Sequence, residues 1–270
     1  MKKNSLSALI VGRFKSIQSV IFTTVAILVL CAVVIVTGVS MRFTNTSIFE
    51  NSSEYSQTII RQMNQNIDSY IDYMENISYL ITSNEDVQSY LFDEEIDTEA
   101  RGRLLSQFGT ILDSRSDIRN LGIIGPGGRR LINDGSKSVN PDLDLTTQDW
   151  YTHALESADG PILTSSHVQH IISGERPWVI TLSRGIRNLH GNGQRQGVFF
   201  IDLNYSAISS LCDQSTVGNK GYAFILDAAG NIVYHPQQQQ LYNELQTEKI
   251  DLIMKSDSDT VLTGTGNNSK

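Results

Sequence analysis

Between residues 16 and 41 the chain carries no charge, no proline and one glycine. About two dozen such residues, rising ~1.5 Å each, cross a ~30 Å hydrocarbon layer. A helix satisfies its own backbone hydrogen bonds, so a single one can sit in lipid. A cleaved signal peptide is the first alternative, but its apolar core is shorter and ends at a small-residue site, which residues 37–41 match weakly. A buried core helix is the second. The expectation is a retained transmembrane helix over 17–41. Lys2, Lys3, Arg13 and Lys15 precede it with no acid among them, while Arg42 alone follows, then Glu50 and Glu54. The positive-inside bias places 1–16 in the cytoplasm and everything after residue 42 outside.

The chain has 270 residues and a formal net charge of −8. Subtracting the four basic residues ahead of the span leaves about −12 for the rest. So acidic an external part argues against nucleic acid and anionic lipid as partners. Of the two cysteines, Cys31 lies inside the span, so Cys212 has no external partner and the domain must be held by its core. There is no metal-ligand spacing and no nucleophile motif, so no metal, cofactor or catalytic residue is expected in this chain.

Residues 44–82 hold neither proline nor glycine. Ile60, Met63, Ile67, Tyr70, Met74, Ile77 and Ile81 alternate steps of three and four, which predicts a long helix with an apolar seam. The seam is expected to pack mostly on its own domain, with contact to a second copy near the membrane end. Asn84 offers an N-cap for a short helix, and a further helix is predicted over 98–114. Together these make 42–115 a stalk helix and helical linker.

From Ile118 the period changes to that of strands. The pattern predicts a hairpin around Gly125–Gly128, a short helix starting at Trp150 and Tyr151, and strands over 161–166, 167–172, 178–186 and 196–202. The first two can also be read as one strand. A helix follows over 204–211. Residues 221–227 and 232–235 repeat the strand–glycine turn–strand layout, which suggests an internal duplication of an α+β unit. A helix over 244–254 and a strand over 259–263 complete the pattern. The second unit is expected to continue past residue 270 toward a second span.

Asp149-Trp150-Tyr151, Gly160–Thr164, Ser183–Ile186, Gly197–Asp202 and above all 221–236 resemble the double Cache sensor domain of bacterial receptors, over residues 44–270. Residues 63–72 resemble the YesM-type sensor histidine kinases. The resemblance implies an α+β fold with two stacked PAS-like sheet modules: a membrane-distal one over 116–212 and a membrane-proximal one over 213–270. It places a small ligand in the distal module. Members that bind amino acids carry an arginine two residues before Trp-Tyr, a Tyr-x-Asp strand and a later aspartate. Here Trp150, Tyr151 and Asp202 match, while Gln148 replaces the arginine and His167 and Gln169 replace the tyrosine and aspartate.

Glutamine cannot grip a carboxylate as arginine does, so the set Gln148, Trp150, Tyr151, His167, Gln169 and Asp202 points to a neutral, sugar-like ligand. Each residue has a plainer alternative: core packing for Trp150, a solvated strand histidine for His167, a helix cap for Asp202. The resulting expectation is an extracellular sensor, dimeric and membrane-anchored, of a two-component histidine kinase, reached by a small molecule or a solute-binding protein. A chemotaxis receptor shares the module and is the alternative. A ligand-free structural surface domain and an external enzyme are further alternatives.

Overall fold

A computed structural model describes residues 17–157, 160–191, 193–213, 222–227, 230–237 and 250–255. The sequence-based expectations for 1–16, 244–249 and 259–270 lie outside the described residues. The chain divides into two compact units, Met1–Gln57 and Thr58–Lys270.

Helix α1 spans Ile17–Thr82, so the apolar span and the predicted long helix are one element. In the first unit its stretch Ile17–Thr44 has a mean hydropathy of 3.0 and none of it is buried by protein. Among the described residues it is the one helix long and apolar enough to cross a membrane. Ile21, Phe22, Leu28 and Val34 point outward, a surface whose exposure to water would cost ~25 cal/mol per Å².

In the second unit the rest of α1 turns its seam to the protein. Met63, Met74 and Ile81 are buried, and Ile67, Tyr70 and Ile77 pack against the core clusters. Ile60 departs from the expected seam and is exposed. Helix α2 (Glu85–Phe92) is capped by Asn84, whose side-chain oxygen accepts from the Asp86 amide at 2.9 Å. Helix α3 (Thr98–Ser114) starts the same way at Asp97, which accepts from the Glu99 and Ala100 amides.

The sheet contains β1 (Ile118–Ile124), β2 (Arg130–Ile132), β3 (Ile162–Val168), β4 (Trp178–Arg187) and β5 (Arg195–Asn204), in the order β2-β1-β5-β4-β3. Every pair is antiparallel. The edges are β2, which is three residues long, and β3, whose register breaks between Thr164 and His167. The β1–β2 turn needs glycine, because Gly127 and Gly128 have φ of 67° and 81°.

Alternation along the strands sorts side chains onto two faces. Leu121, Ile123, Leu182, Phe199 and Ile201 meet Met74, Ile81, Leu91, Leu104 and Phe108 from α1, α2 and α3. Burying each large side chain of this set contributes ~1.5–3 kcal/mol. On the other face, Ile124, Val198 and Phe200 lie beneath helix α4 (Asp149–Glu156).

Helix α5 (Tyr205–Asp213) leads on to the short pair β6 (Ile225–Leu226) and β7 (Ile232–Tyr234). Val233 and Tyr234 join Met63, Ile180, Tyr205 and Ile208 in a third cluster. The five residues of α6 (Ile250–Met254) end the described chain.

Two expectations are corrected here. The predicted strand over 167–172 is not a separate element: His167 and Val168 continue the preceding strand, as the single-strand reading allowed, and 169–172 form no strand. Strand β3 runs from 162 and ends at Val168, while Ile171 and Ile172 are buried under α4. Their backbone pairs with the 138–140 loop instead, through Asn140 N–H to Ile171 C=O and Ser173 N–H to Ser138 C=O. Of the predicted strand over 221–227, the described residues 222–227 form strand only at Ile225–Leu226.

Candidate ligand-binding face

The face under α4 carries a polar row within an apolar sheet. Asn120 on β1, Asp202 on β5 and Thr181 on β4 are direct cross-strand partners. Cross-strand neighbours share a face, so all three side chains converge. Asp202 is fully buried. Its Oδ1 accepts from Thr181 Oγ1 at 2.6 Å and Gln169 Nε2 at 3.1 Å, and its Oδ2 accepts from Asn120 Nδ2 at 2.9 Å. Burial pushes its carboxyl upward, against the pull of these three donors and of the His167 imidazole.

The row is braced at both ends. Asn133, at φ 53°, donates to Asn120 Oδ1 at 3.1 Å and accepts from the Leu121 amide at 3.0 Å. His167 Nε2 lies 3.4 Å from Thr181 Oγ1, and its Nδ1 lies 2.9 Å from the Ser165 carbonyl. Gln169 leaves β3 at the point where the ladder stops, which turns its amide inward toward Asp202.

Helix α4 covers the apolar end of this face. Trp150 packs on Phe200 with ring centroids 4.9 Å apart and planes tilted by 39°, and meets Tyr151 edge-on at 6.2 Å. Ser183 Oγ donates to the Trp150 carbonyl at 2.7 Å and fixes the start of the helix to β4. Phe200 is two residues from Asp202, about 7 Å along the strand. Tyr151 is buried too, and burial followed by the Asp144 carboxylate raises its phenol. Gln148, at the helix N-cap, makes no cap bond and instead donates to the Asp144 carbonyl at 3.2 Å.

Two buried polar atoms near this face have no hydrogen-bond partner among the described residues: Trp150 Nε1 and Thr164 Oγ1. Thr164 is the cross-strand partner of Thr181 and therefore points to the Asp202 side. An unsatisfied buried donor costs ~1–3 kcal/mol, so each of these groups calls for a polar partner, which water or a ligand can supply. A carboxylate offers about four acceptor positions. Asp202 uses three, leaving one on Oδ2. The face thus presents one acceptor, several donors and an aromatic wall, which suits orienting a small polar molecule.

Of the sequence-based site residues, the structure brings Asp202, Gln169 and His167 into one network and sets Trp150 and Tyr151 beside it. It turns the Gln148 amide back onto its own loop. Asp202 does not cap a helix, because β5 continues to Asn204. Thr181, Asn120, Asn133 and Thr164 were not foreseen. The available signal was polar residues at alternating positions within apolar strands, as in Val179-Ile180-Thr181-Leu182-Ser183.

A five-stranded antiparallel sheet with a long helix on one face and a short helix on the other defines an α+β module. Residues 44–269 match the family described as the Cache domain, and the chain belongs to that family. The methyl-accepting chemotaxis protein McpC of Bacillus subtilis is 26% identical over 230 residues, covering 84% of this chain and 33% of McpC. The chain thus spans a third of that relative's length. Similar solved folds include the ligand-binding domain of the Pseudomonas fluorescens chemoreceptor CtaA in complex with L-isoleucine. That match has a TM-score of 0.54 at 20% identity and covers 72% of each chain. The ligand-binding domain of the Pseudomonas aeruginosa amino acid chemoreceptor PctC, in complex with GABA, matches with a TM-score of 0.53 at 21% identity. It covers 70% of this chain and 78% of that one. These relatives are chemoreceptors, so they do not carry the finer resemblance to YesM-type histidine kinases.

Proposed function

We propose that this chain is the ligand-sensing part of a membrane-anchored chemotaxis receptor, with a small amino acid held between α4 and the sheet. The observation that carries the reading is the pairing of a buried carboxylate, Asp202, with unpartnered donors at Trp150 and Thr164 on one face. An ammonium group takes the remaining Oδ2 position. The ligand carboxylate is met by neutral donors, in the role that an arginine at position 148 would have filled. The McpC relationship favours the chemotaxis reading, and the amino-acid complexes of the similar folds favour this ligand class over the sugar-like one expected from the sequence.

The remaining architecture is part of the same proposal. Residues 1–16 face the cytoplasm, the chain acts as a homodimer, and residues 213–270 belong to a membrane-proximal module. No enzymatic activity is proposed for this chain. Binding would act by preferring one of two packings of the sheet against α1, and it can shift that balance only by its difference in affinity for the two.

The test is calorimetric titration of the full chain in lipid nanodiscs with neutral amino acids, GABA and a sugar panel. Saturable amino-acid binding that Asp202→Ala removes supports the reading. Sugar binding alone would replace the ligand class. Output is decided separately by the gene beyond residue 270. A long heptad hairpin means a chemotaxis receptor, and a histidine-bearing dimerisation helix with an ATP-binding domain means the kinase.

A further inference from the structure

Two residues beyond Asp202, strand β5 ends at Asn204, and that residue is bound twice to one turn. Its amide donates to the Asp117 carbonyl at 2.7 Å, and its Nδ2 donates to the Ser116 carbonyl at 2.7 Å. Residues 115–117 link α3 to β1, and Leu203 pairs with Ile118 directly after them. The turn is therefore fixed to the strand that carries the buried carboxylate.

The same turn grips α1. Tyr70 Oη donates to Asp117 Oδ2 at 2.8 Å, and Arg115 Nε donates to Asp117 Oδ1 at 2.8 Å, with Nη2 on the other oxygen. The Arg115 guanidinium lies over the Tyr73 ring, 4.6 Å from its centroid, a cation–π contact. Tyr70 and Tyr73 are neighbours on one side of α1. Burial pushes the Asp117 carboxyl up, but the bonds from Arg115 and then Tyr70 outweigh it and hold the carboxyl below its ordinary range. Burial, followed by Asp117, raises the Tyr70 phenol. The clasp thus keeps both its charge and its proton across neutral pH. Beside it a groove of about 340 Å³ lies between α1 and α3, lined among others by Tyr73, Ile77, Thr110, Ile111 and Arg115. On this side of α1 the clasp, rather than a filled core, sets the position of the helix, which leaves room for a second arrangement.

We propose that the Arg115–Asp117 turn is the latch that couples occupancy of the Asp202 face to α1, with Tyr70 as its release point. The inference rests on the receptor reading above and gives it a physical route. A molecule held by Asp202 pulls on β5. Asn204 carries the shift into the turn, and the Tyr70–Asp117 bond either passes it to α1 or breaks. Those two outcomes are the two packings between which a ligand can choose. Tyr70 and Asp117 are positioning residues, since neither bonds to Asp202.

The test is amide exchange of the full chain in nanodiscs, with α2 as the internal reference. Asp202→Asn perturbs the face without any ligand. It should quicken exchange of the α1 amides around Tyr70 by about twofold or more beyond the change at α2, where a global loss of stability appears equally. Tyr70→Phe removes only the hydroxyl, and Asp117→Asn removes the charge. In either background Asp202→Asn should produce no such excess at α1. A thermal melt shows that each variant is folded. A second arm adds saturating L-isoleucine or GABA. Exchange around Tyr70 should then change in the parent and stay unchanged in Tyr70→Phe at equal occupancy, set by calorimetry. If neither probe binds, the amino-acid reading falls while the first arm still decides the latch. No excess at α1 in the parent, or the same excess in the folded Tyr70→Phe variant, overturns the proposal.

Discussion

Thr181 and Asp202 face each other across β4 and β5, and the threonine hydroxyl donates to the carboxylate at 2.6 Å in a fully buried setting. The pair holds the polar row together, because Gln169 and Asn120 reach the same carboxylate from other elements. Asp202→Asn converts one acceptor oxygen into a donor that meets existing donors. We expect a loss of ~1–3 kcal/mol, read by urea unfolding. Thr181→Val should cost a similar amount, and the two together less than their sum, because they act on one network. Strict additivity would show that the row is not coupled.

Trp150→Phe keeps an aromatic ring over Phe200 and removes an N–H that has no partner among the described residues. Amino-acid affinity should drop about tenfold, or ~1.4 kcal/mol, while the melting temperature falls by far less than in Asp202→Asn. Calorimetry and a melt on the same sample check it. Unchanged affinity would mean that the indole serves packing alone.

Gly185 lets α4 approach β4, since a Cβ there would lie 2.6 Å from the Ala154 carbonyl oxygen. Backbone cannot yield as a flexible side chain can, so Gly185→Ala should force the helix outward at a cost of ~1–3 kcal/mol. A thermal melt reads the cost, and ligand titration reads the displaced helix.

His190, on the β4–β5 loop, spans α2. Its Nδ1 lies 3.0 Å from Asp93 and its Nε2 3.0 Å from Glu85. The bonds to Asp93 and then Glu85 raise its pKa. A raised folded-state pKa means that the contribution is complete below the unfolded value of ~6.5 and is lost as pH rises through the folded value. The protection of the α2 amides, corrected for the intrinsic pH dependence of exchange, should therefore fall as pH rises above the ordinary imidazole range, and His190→Gln should flatten that dependence. Equal profiles for both proteins would remove the clasp.

Much of the fold can be read from local pattern. Asn84 and the acids after it mark the start of α2, and the spacing of Met63, Met74 and Ile81 marks the buried side of α1. The site is less legible because its partners are distant in sequence. Asp202 draws on residues 82, 33 and 21 positions away, and only sheet order puts Asn120 and Thr181 on either side of it. Asp202 resembles a helix cap because a helix starts three residues later, yet Leu203 and Asn204 extend the strand first. The missing strand at 169–172 has the same cause. Val168 stays in β3 opposite Trp178, but the loop at 138–140 claims the backbone at Ile171 and Ile172.

The sheet's two borders, one only three residues long and the other interrupted midway, bear on life in a crowd. Tethered proteins meet their neighbours at high local concentration, where a long, flat strand at a border invites backbone-to-backbone fusion. Here a neighbour finds no straight run of amides and carbonyls to extend. Copies can stand shoulder to shoulder without zipping together, and any specific pairing between them must be written in side chains, where it can be reversible.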